Sequence, residues 1–264
     1  MVTVIAVSLD PPETCGKHLM TLWSDVLNHN KRLIHKWKHY FPIYERHFKD
    51  FVYKPVTFIE IGCGPGGSLQ MWKQYFGPHA RIVGIDIDPR CARYAEDQIE
   101  IHIGAQQDPA FLQRVMDQVG IPDIVVDDGS HFMSDVAATF RFLYPRMLKN
   151  GVYLVEDLHT AYWEEYEGGL GKSTTFIEIC KNLIDELNAD HSRGAFPPTE
   201  FTKSTMGMHF YDSVVVFERG AYTKKSDPMR GGKFEMFVER NKAKFGKGYM
   251  APQRSPKPPK PKAR

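Results

Sequence analysis

Residues 56–68 read Val56-Thr-Phe-Ile-Glu-Ile-Gly-Cys-Gly-Pro-Gly-Gly-Ser68. An apolar strand, Val56–Ile61, runs straight into glycines, and a helix follows over Ser68–Phe76. From this unit the pattern repeats outward. Arg81–Ile85, Glu100–Ile103, Asp123–Val126 and Val152–Val155 read as further strands. Helices are expected between them at Ala92–Asp97, Pro109–Val119 and Ser134–Met147. Met208–Tyr211 and Val214–Glu218 read as two last strands, antiparallel to each other. Strands alternating with helices predict an α/β fold, a doubly wound and mostly parallel sheet of seven strands, with sites at the strand carboxyl ends.

The glycine loop predicts a nucleoside-type ligand. Gly62 and Gly64 permit a tight turn with the backbone close to a ligand, and the helix beyond offers free N–H groups. Gly62, Gly64 and Gly67 satisfy the spacing of a dinucleotide loop. S-adenosylmethionine would fit equally, with its methionine portion on the loop and Glu60 near its ammonium end, so Glu60, Gly62, Gly64 and Ser68 are candidate cofactor residues. Asp86 ends the second strand, where a carboxylate accepts both ribose hydroxyls of either cofactor. Gln106 and Asp108 follow the third strand, where an adenine edge would be read, although Asp108-Pro is also an ordinary helix start.

Acids narrow the reading. The fourth strand ends in Asp127-Asp-Gly-Ser-His131 and the fifth in Glu156-Asp157. On neighbouring strand ends these carboxylates would crowd one rim and repel, a conflict that a divalent cation removes. Asp128, Glu156 and Asp157 are the expected ligands of Mg²⁺, with water and substrate completing the oxygen shell. Asp127 belongs either to the cofactor set or to the interior. His131 is the expected general base for a substrate hydroxyl that the metal polarises, although a histidine after Gly-Ser also suits a helix cap.

Composition bounds the rest. No apolar run approaches the roughly 20 residues that span a bilayer, and Met1–Leu9 lacks the basic lead of a signal peptide. Cys15, Cys63, Cys91 and Cys180 are scattered, as expected in a reducing cytoplasm. From Arg219 onward there are 14 lysines and arginines against 3 acids, a net of +11, over a body of net −9. The basic stretch 221–264, ending in Ser255-Pro-Lys-Pro-Pro-Lys-Pro-Lys-Ala-Arg264, is expected to be a disordered, solvated tail. Residues 1–50 form a helical cap in this reading, with Leu19, Leu22, Trp23, Val26 and Leu27 at helical spacing and Trp37 and Tyr40 suited to a sugar face. The core domain spans 51–220. Within it, 159–205 is an insertion carrying a glycine-bearing lid, Tyr162–Gly171, that would close over the acceptor.

Phe58–Gly64, Asp127–His131 and Glu156-Asp-Leu-His-Thr-Ala-Tyr-Trp163, with Trp37–Phe48 and His209-Phe-Tyr-Asp-Ser213, resemble the metal-dependent macrolide-sugar O-methyltransferases of the mycinamicin type. The resemblance covers roughly residues 35–220. It implies the class I methyltransferase sheet, S-adenosylmethionine as methyl donor, Asp128, Glu156 and Asp157 around Mg²⁺, His131 as base, a sugar-like small-molecule acceptor, no membrane partner, and a homo-oligomer. A catechol-type methyltransferase, and a nucleic-acid-binding protein that keeps the fold and uses the basic tail, are the competing expectations. A nicotinamide dehydrogenase needs no clustered acids.

Overall fold

The computed structural model describes residues 21–223, 225 and 234–246. Seven strands make one sheet: β1 (Thr57–Ile61), β2 (Arg81–Asp86), β3 (Ile99–Ile103), β4 (Ile124–Asp127), β5 (Val152–Val155), β6 (Thr205–Tyr211) and β7 (Val214–Arg219), in the order β3-β2-β1-β4-β5-β7-β6. β1 to β5 pair in parallel, while β7 is antiparallel to both β5 and β6. The chain steps outward from β1 to β3, then returns to place β4 on the other side of β1. That reversal opens a crevice at the carboxyl ends of β1 and β4, where ligands bind in such sheets.

Alternation along the strands builds two cores. Ile59, Ile61, Val83, Val125, Tyr153 and Phe217 face α4 (Pro109–Val119), α5 (Met133–Leu143) and α6 (Phe176–Leu187). Phe58, Ile82, Ile124, Val126, Leu154 and Val216 face α1 (Leu22–Leu27), α2 (Phe41–Phe48) and α3 (Gly67–Phe76). Because parallel strands are covered on both faces, they read as nearly continuous apolar runs. α7 (Glu200–Ser204) closes the insertion with a capping box between Thr199 and Thr202.

Two local readings change. The helical cap expected over 1–50 shows, among its described residues 21–50, short helices separated by an extended strap, residues 29–37, and Leu19 lies outside the described residues. Tertiary contacts select the strap: the Arg32 guanidinium bonds the Tyr94 carbonyl at 2.6 Å and Glu96 at 2.8 Å. The helix expected at Ala92–Asp97 is instead a 3₁₀ turn over Pro89–Tyr94, started by proline at its first positions and by the Asp88 side chain accepting from Arg90 N–H. Among the described residues no helix is long and apolar enough to cross a membrane.

The chain divides after Tyr222. Of the following unit, α8 (Phe234–Phe245) is described. Met1–Leu9, Cys15 and Ser255–Arg264 lie outside the described residues.

Candidate active site

Backbone dictates the first part of the site. Gly62 has φ +82°, which a side-chain-bearing residue rarely adopts, and a Cβ there would overlap the Asp128 carbonyl. A Cβ at Gly67 would overlap the carbonyl of Leu33 in the strap. β1's loop is thus pressed on one side against β4's end and on the other against residues 32–33. Between the carboxyl ends of β1, β2 and β4 lies a cavity of about 290 Å³, walled by Gly62, Gly64, Asp86, Gln106, Asp128 and Ser130 among others. Asp86 is held for it: its Oδ2 accepts from Gly64 N–H at 2.8 Å and its Oδ1 from Asp88 N–H at 2.9 Å. Lone pairs remain for a ribose. Asp108 caps α4 through Ala110 N–H.

Gln106 lines the cavity but is fully engaged. Its Nε2 donates to Asp127 Oδ1 at 3.0 Å and to Thr139 Oγ1 at 3.1 Å, and its Oε1 accepts from Ser130 N–H at 2.7 Å. Asp127 turns into the fold, where Tyr153 also donates to it at 3.2 Å. Burial pushes the Asp127 carboxyl up to about 7. Because the folded value lies above the unfolded one, this site favours folding most below about pH 4, and the benefit is lost as pH rises towards 7. Denaturant titrations at pH 5 and pH 8 should therefore show Asp127→Asn gaining on the native chain at the higher pH, by on the order of 3 kcal/mol. A difference independent of pH would contradict an uncharged Asp127 in the acid range.

The second part is a chain of acids threaded by one lysine. Glu60 is fully buried, and its Oε2 accepts from Ser68 Oγ at 2.5 Å. Its other oxygen, Oε1, lies 2.9 Å from Nζ of Lys36. That ammonium, whose side chain is 3% exposed, also reaches Asp128 Oδ2 at 2.7 Å and the Glu156 oxygens at 3.1 and 3.2 Å. Burial opposes the lysine's charge, but Asp128, Glu156 and Glu60 outweigh it and hold the ammonium protonated well above its usual range. Burial in turn raises the Glu156 carboxyl, with Lys36 pulling the other way. Three carboxyl groups surround the single ammonium, a surplus of acidic over basic groups.

Tyr40, which precedes α2, and Tyr44, one turn further on within it, secure the consecutive acids that follow β5. Tyr44 donates to Glu156 Oε1 at 2.7 Å and Tyr40 to Asp157 Oδ1 at 2.6 Å. At the rim, His131 and Asp157 both adopt left-handed backbone, φ +61° and +54°, a conformation that costs of order 1–3 kcal/mol and clusters at functional sites. His131 Nε2 lies 3.8 Å from Asp128 Oδ1 and 3.9 Å from Asp157 Oδ2. These three side chains present one donor atom each within 4.8 Å of one another. The structure thus brings Asp128, Asp157 and His131 into one set and leaves Glu156 behind it, bonded to Tyr44 and Lys36. The surplus of acidic groups and the two carboxylate oxygens that converge beside His131 at the rim fit a divalent cation.

Beside Asp157 opens a second cavity, about 280 Å³, lined by Trp37, His39, Tyr40, His159, Trp163 and Asp212 among others. Trp37 is 54% exposed and meets His159 edge-on at 6.1 Å, and His159 meets Trp163 at 4.8 Å. Ser213 Oγ fixes His159 Nδ1 at 2.6 Å. Trp37 thus faces this cleft, whereas Tyr40 is buried beneath it. The 162–171 segment is anchored next to the rim: Glu167 accepts from Ser134 N–H at 2.9 Å and Tyr166 stands edge-on to His131 at 6.3 Å. Lys36 carries no signal in the sequence, and Tyr44 and Ser213 stand there only within the segments Trp37–Phe48 and His209–Ser213, with no role assigned.

A doubly wound sheet with a glycine loop, a ribose-facing acid and an acidic rim at its switch point defines the methyltransferase class. The FtsJ-like methyltransferase profile matches residues 42–176, and the chain belongs to that family. It is 36% identical over 204 residues to the 8-demethyl-8-(2-methoxy-alpha-L-rhamnosyl)-tetracenomycin-C 3'-O-methyltransferase of Streptomyces olivaceus, an alignment covering 73% of this chain and 52% of that protein. It is 37% identical to the mycinamicin VI 2''-O-methyltransferase of Micromonospora griseorubida, covering 69% and 48%. The solved MycE methyltransferase of the mycinamycin biosynthetic pathway, in complex with Mg and SAH, superposes with a TM-score of 0.67 at 33% identity, covering 80% of this chain and 55% of that one. The chain spans about half the length of these relatives.

Proposed function

We propose that the chain is an S-adenosylmethionine-dependent, Mg²⁺-dependent O-methyltransferase acting on a hydroxyl of a sugar or glycosylated small molecule. The observation that carries this reading is the convergence of Asp128, His131 and Asp157 between the glycine-loop cavity and the aromatic cleft. Asp86 would bind the cofactor ribose, Gly62 and Gly64 would admit its backbone approach, and Glu60, fixed by Ser68, would face its amino-acid end. Asp128 and Asp157 would hold the cation, with Glu156 buttressing Asp128 through the shared Lys36. When bound, the cation supplies Lewis acidity that makes an acceptor hydroxyl easier to deprotonate, and S-adenosylmethionine supplies the methyl group.

The chain's own residues do the remaining work. His131 Nε2 takes the hydroxyl proton at the rim. Asp128 Oδ1 and Asp157 Oδ2 flank that nitrogen at 3.8 and 3.9 Å and set its place at the rim. Trp37, His159 and Trp163 offer flat faces for the apolar side of a sugar ring and so orient it. Tyr166 and Glu167 keep the 162–171 segment beside His131, where it limits access of water. The same reading places the enzyme in a reducing cytoplasm, in keeping with the free thiols of Cys63, Cys91 and Cys180.

Calorimetry with S-adenosylhomocysteine should show binding that Asp86→Ala weakens by 10-fold or more, about 1.4 kcal/mol. Formation of S-adenosylhomocysteine from S-adenosylmethionine over a panel of 6-deoxyhexosides should require Mg²⁺. Turnover undiminished by a chelator would overturn the metal-dependent reading.

A further inference from the structure

His209 opens one of the segments that carry the family resemblance, yet it takes no part in the site above. It belongs to a second cluster. His47 on α2, His209 on β6 and Glu218 on β7 each present a donor atom within 4.8 Å of the others. His47 Nδ1 is 2.9 Å from Glu218 Oε1, and His209 Nε2 is 3.2 Å from Glu218 Oε2. Glu218 pairs in register with Val152, the first residue of β5, so this cluster lies towards the amino ends of the parallel strands, away from the acidic rim. From the geometry we infer that His47, His209 and Glu218 form a binding site for a transition-metal ion of the Zn²⁺ class.

Four observations carry the inference. Two imidazoles and one carboxylate are a donor set suited to Zn²⁺ and poorly suited to Mg²⁺. The three donor atoms lie within 4.8 Å of one another, so small side-chain rotations bring them to the roughly 3.3 Å that separates tetrahedral neighbours about Zn²⁺. His47 Nε2 is held by the Tyr211 hydroxyl at 2.8 Å, the outer bond that fixes the ring of a metal-ligating histidine with Nδ1 facing inward. Finally, His209 Nε2 is buried and aimed at the carboxylate, 3.2 Å from Glu218 Oε2. Gly207, cross-strand from Glu218, borders the cluster: a Cβ there would make ordinary contact with His209 Nε2 at 3.4 Å and Glu218 Oε2 at 3.8 Å.

The fourth coordination position has somewhere to open. His47 and Glu218 both line a cavity of about 550 Å³, with Asp50, Lys54, Asp123 and Asn150 also on its wall. Water, or a small oxygen or nitrogen ligand, would complete the shell there. The ion would tie α2 to the β6–β7 hairpin. Tyr40 at the start of α2, and Tyr44 and His47 within it, follow one another at spacings of four and three, so one side of this segment carries the two acid-holding hydroxyls and the proposed ligand.

The test uses the full chain stripped with a chelator, then titrated with Zn²⁺ against a chromogenic competitor in excess Mg²⁺. The native chain is expected to bind one Zn²⁺ equivalent that His209→Ala and Glu218→Gln each weaken by about 100-fold or more, beyond the loss seen for outer-shell partners. His131→Ala should leave that equivalent unchanged. Co²⁺ in the same site should give the strong visible absorption of tetrahedral coordination, lost in Glu218→Gln. Glu218→Gln keeps the shape and a hydrogen-bonding oxygen, and its melting temperature in chelator, matched to the native chain, certifies folding. Superimposable titrations for the native chain and Glu218→Gln would overturn the proposal, as would a Zn²⁺ equivalent abolished by His131→Ala.

Discussion

His131→Ala is expected to lower kcat for methyl transfer by 10²–10⁴-fold, the range that a positioned general base contributes. Its imidazole is the one nitrogen base set between Asp128 and Asp157, and it is held there by a left-handed backbone rather than by a side-chain hydrogen bond. Binding of S-adenosylhomocysteine should be unchanged, because no part of His131 walls the cavity beside Asp86. Loss of kcat with retained cofactor binding would separate proton transfer from site assembly. If His131→Ala turned over catechols at the native rate, the acceptor would be one acidic enough to need no base, and the sugar reading would fall.

Lys36→Met should have the largest effect on stability. Removing one partner of a buried ion pair typically costs about 3–5 kcal/mol, because the remaining charge stays buried. Here three carboxylates would be left, Glu60, Asp128 and Glu156, all in reach of the same ammonium. Denaturant melts at neutral pH should show a loss of that size. Millimolar Mg²⁺ should restore part of it, and should stabilise Lys36→Met more than the native chain, because a divalent cation would meet more uncompensated charge. An equal response to Mg²⁺ in both chains would show that the acids do not share a cation with the lysine.

The sheet was legible because its signals are local. Strand and helix periods, glycines after β1 and paired acids after β4 and β5 all sit within a few residues of what they specify. Asp127 and Asp128 could be told apart by alternation alone, since adjacent residues at a strand end face opposite ways. Lys36 had no such signal. It lies in an extended segment without period, and its partners are 92 and 120 residues away. The helical reading of 17–50 failed at the same place, because contacts of Arg32 and Leu33 with distant residues override local propensity. Tyr40 and Tyr44 were visible as aromatics, and only the packing of α2 against β5 turns their hydroxyls to the acids. His159 and Ser213 likewise meet only through the pairing of β7 with β5.

The strap has a consequence for how the molecule comes into being. Its lysine must await carboxylates made much later in synthesis, and β5 gains its outer neighbour only when the hairpin following residue 204 has returned to the sheet. Until then a nascent chain carries a lysine without its later carboxylate partners and an unpaired sheet edge. Closing such distant contacts is slow, and domains of this size pass through exposed intermediates. Synthesis of Glu156 and Asp157 thus completes the acidic rim, and return of the last two strands then closes the open edge of β5.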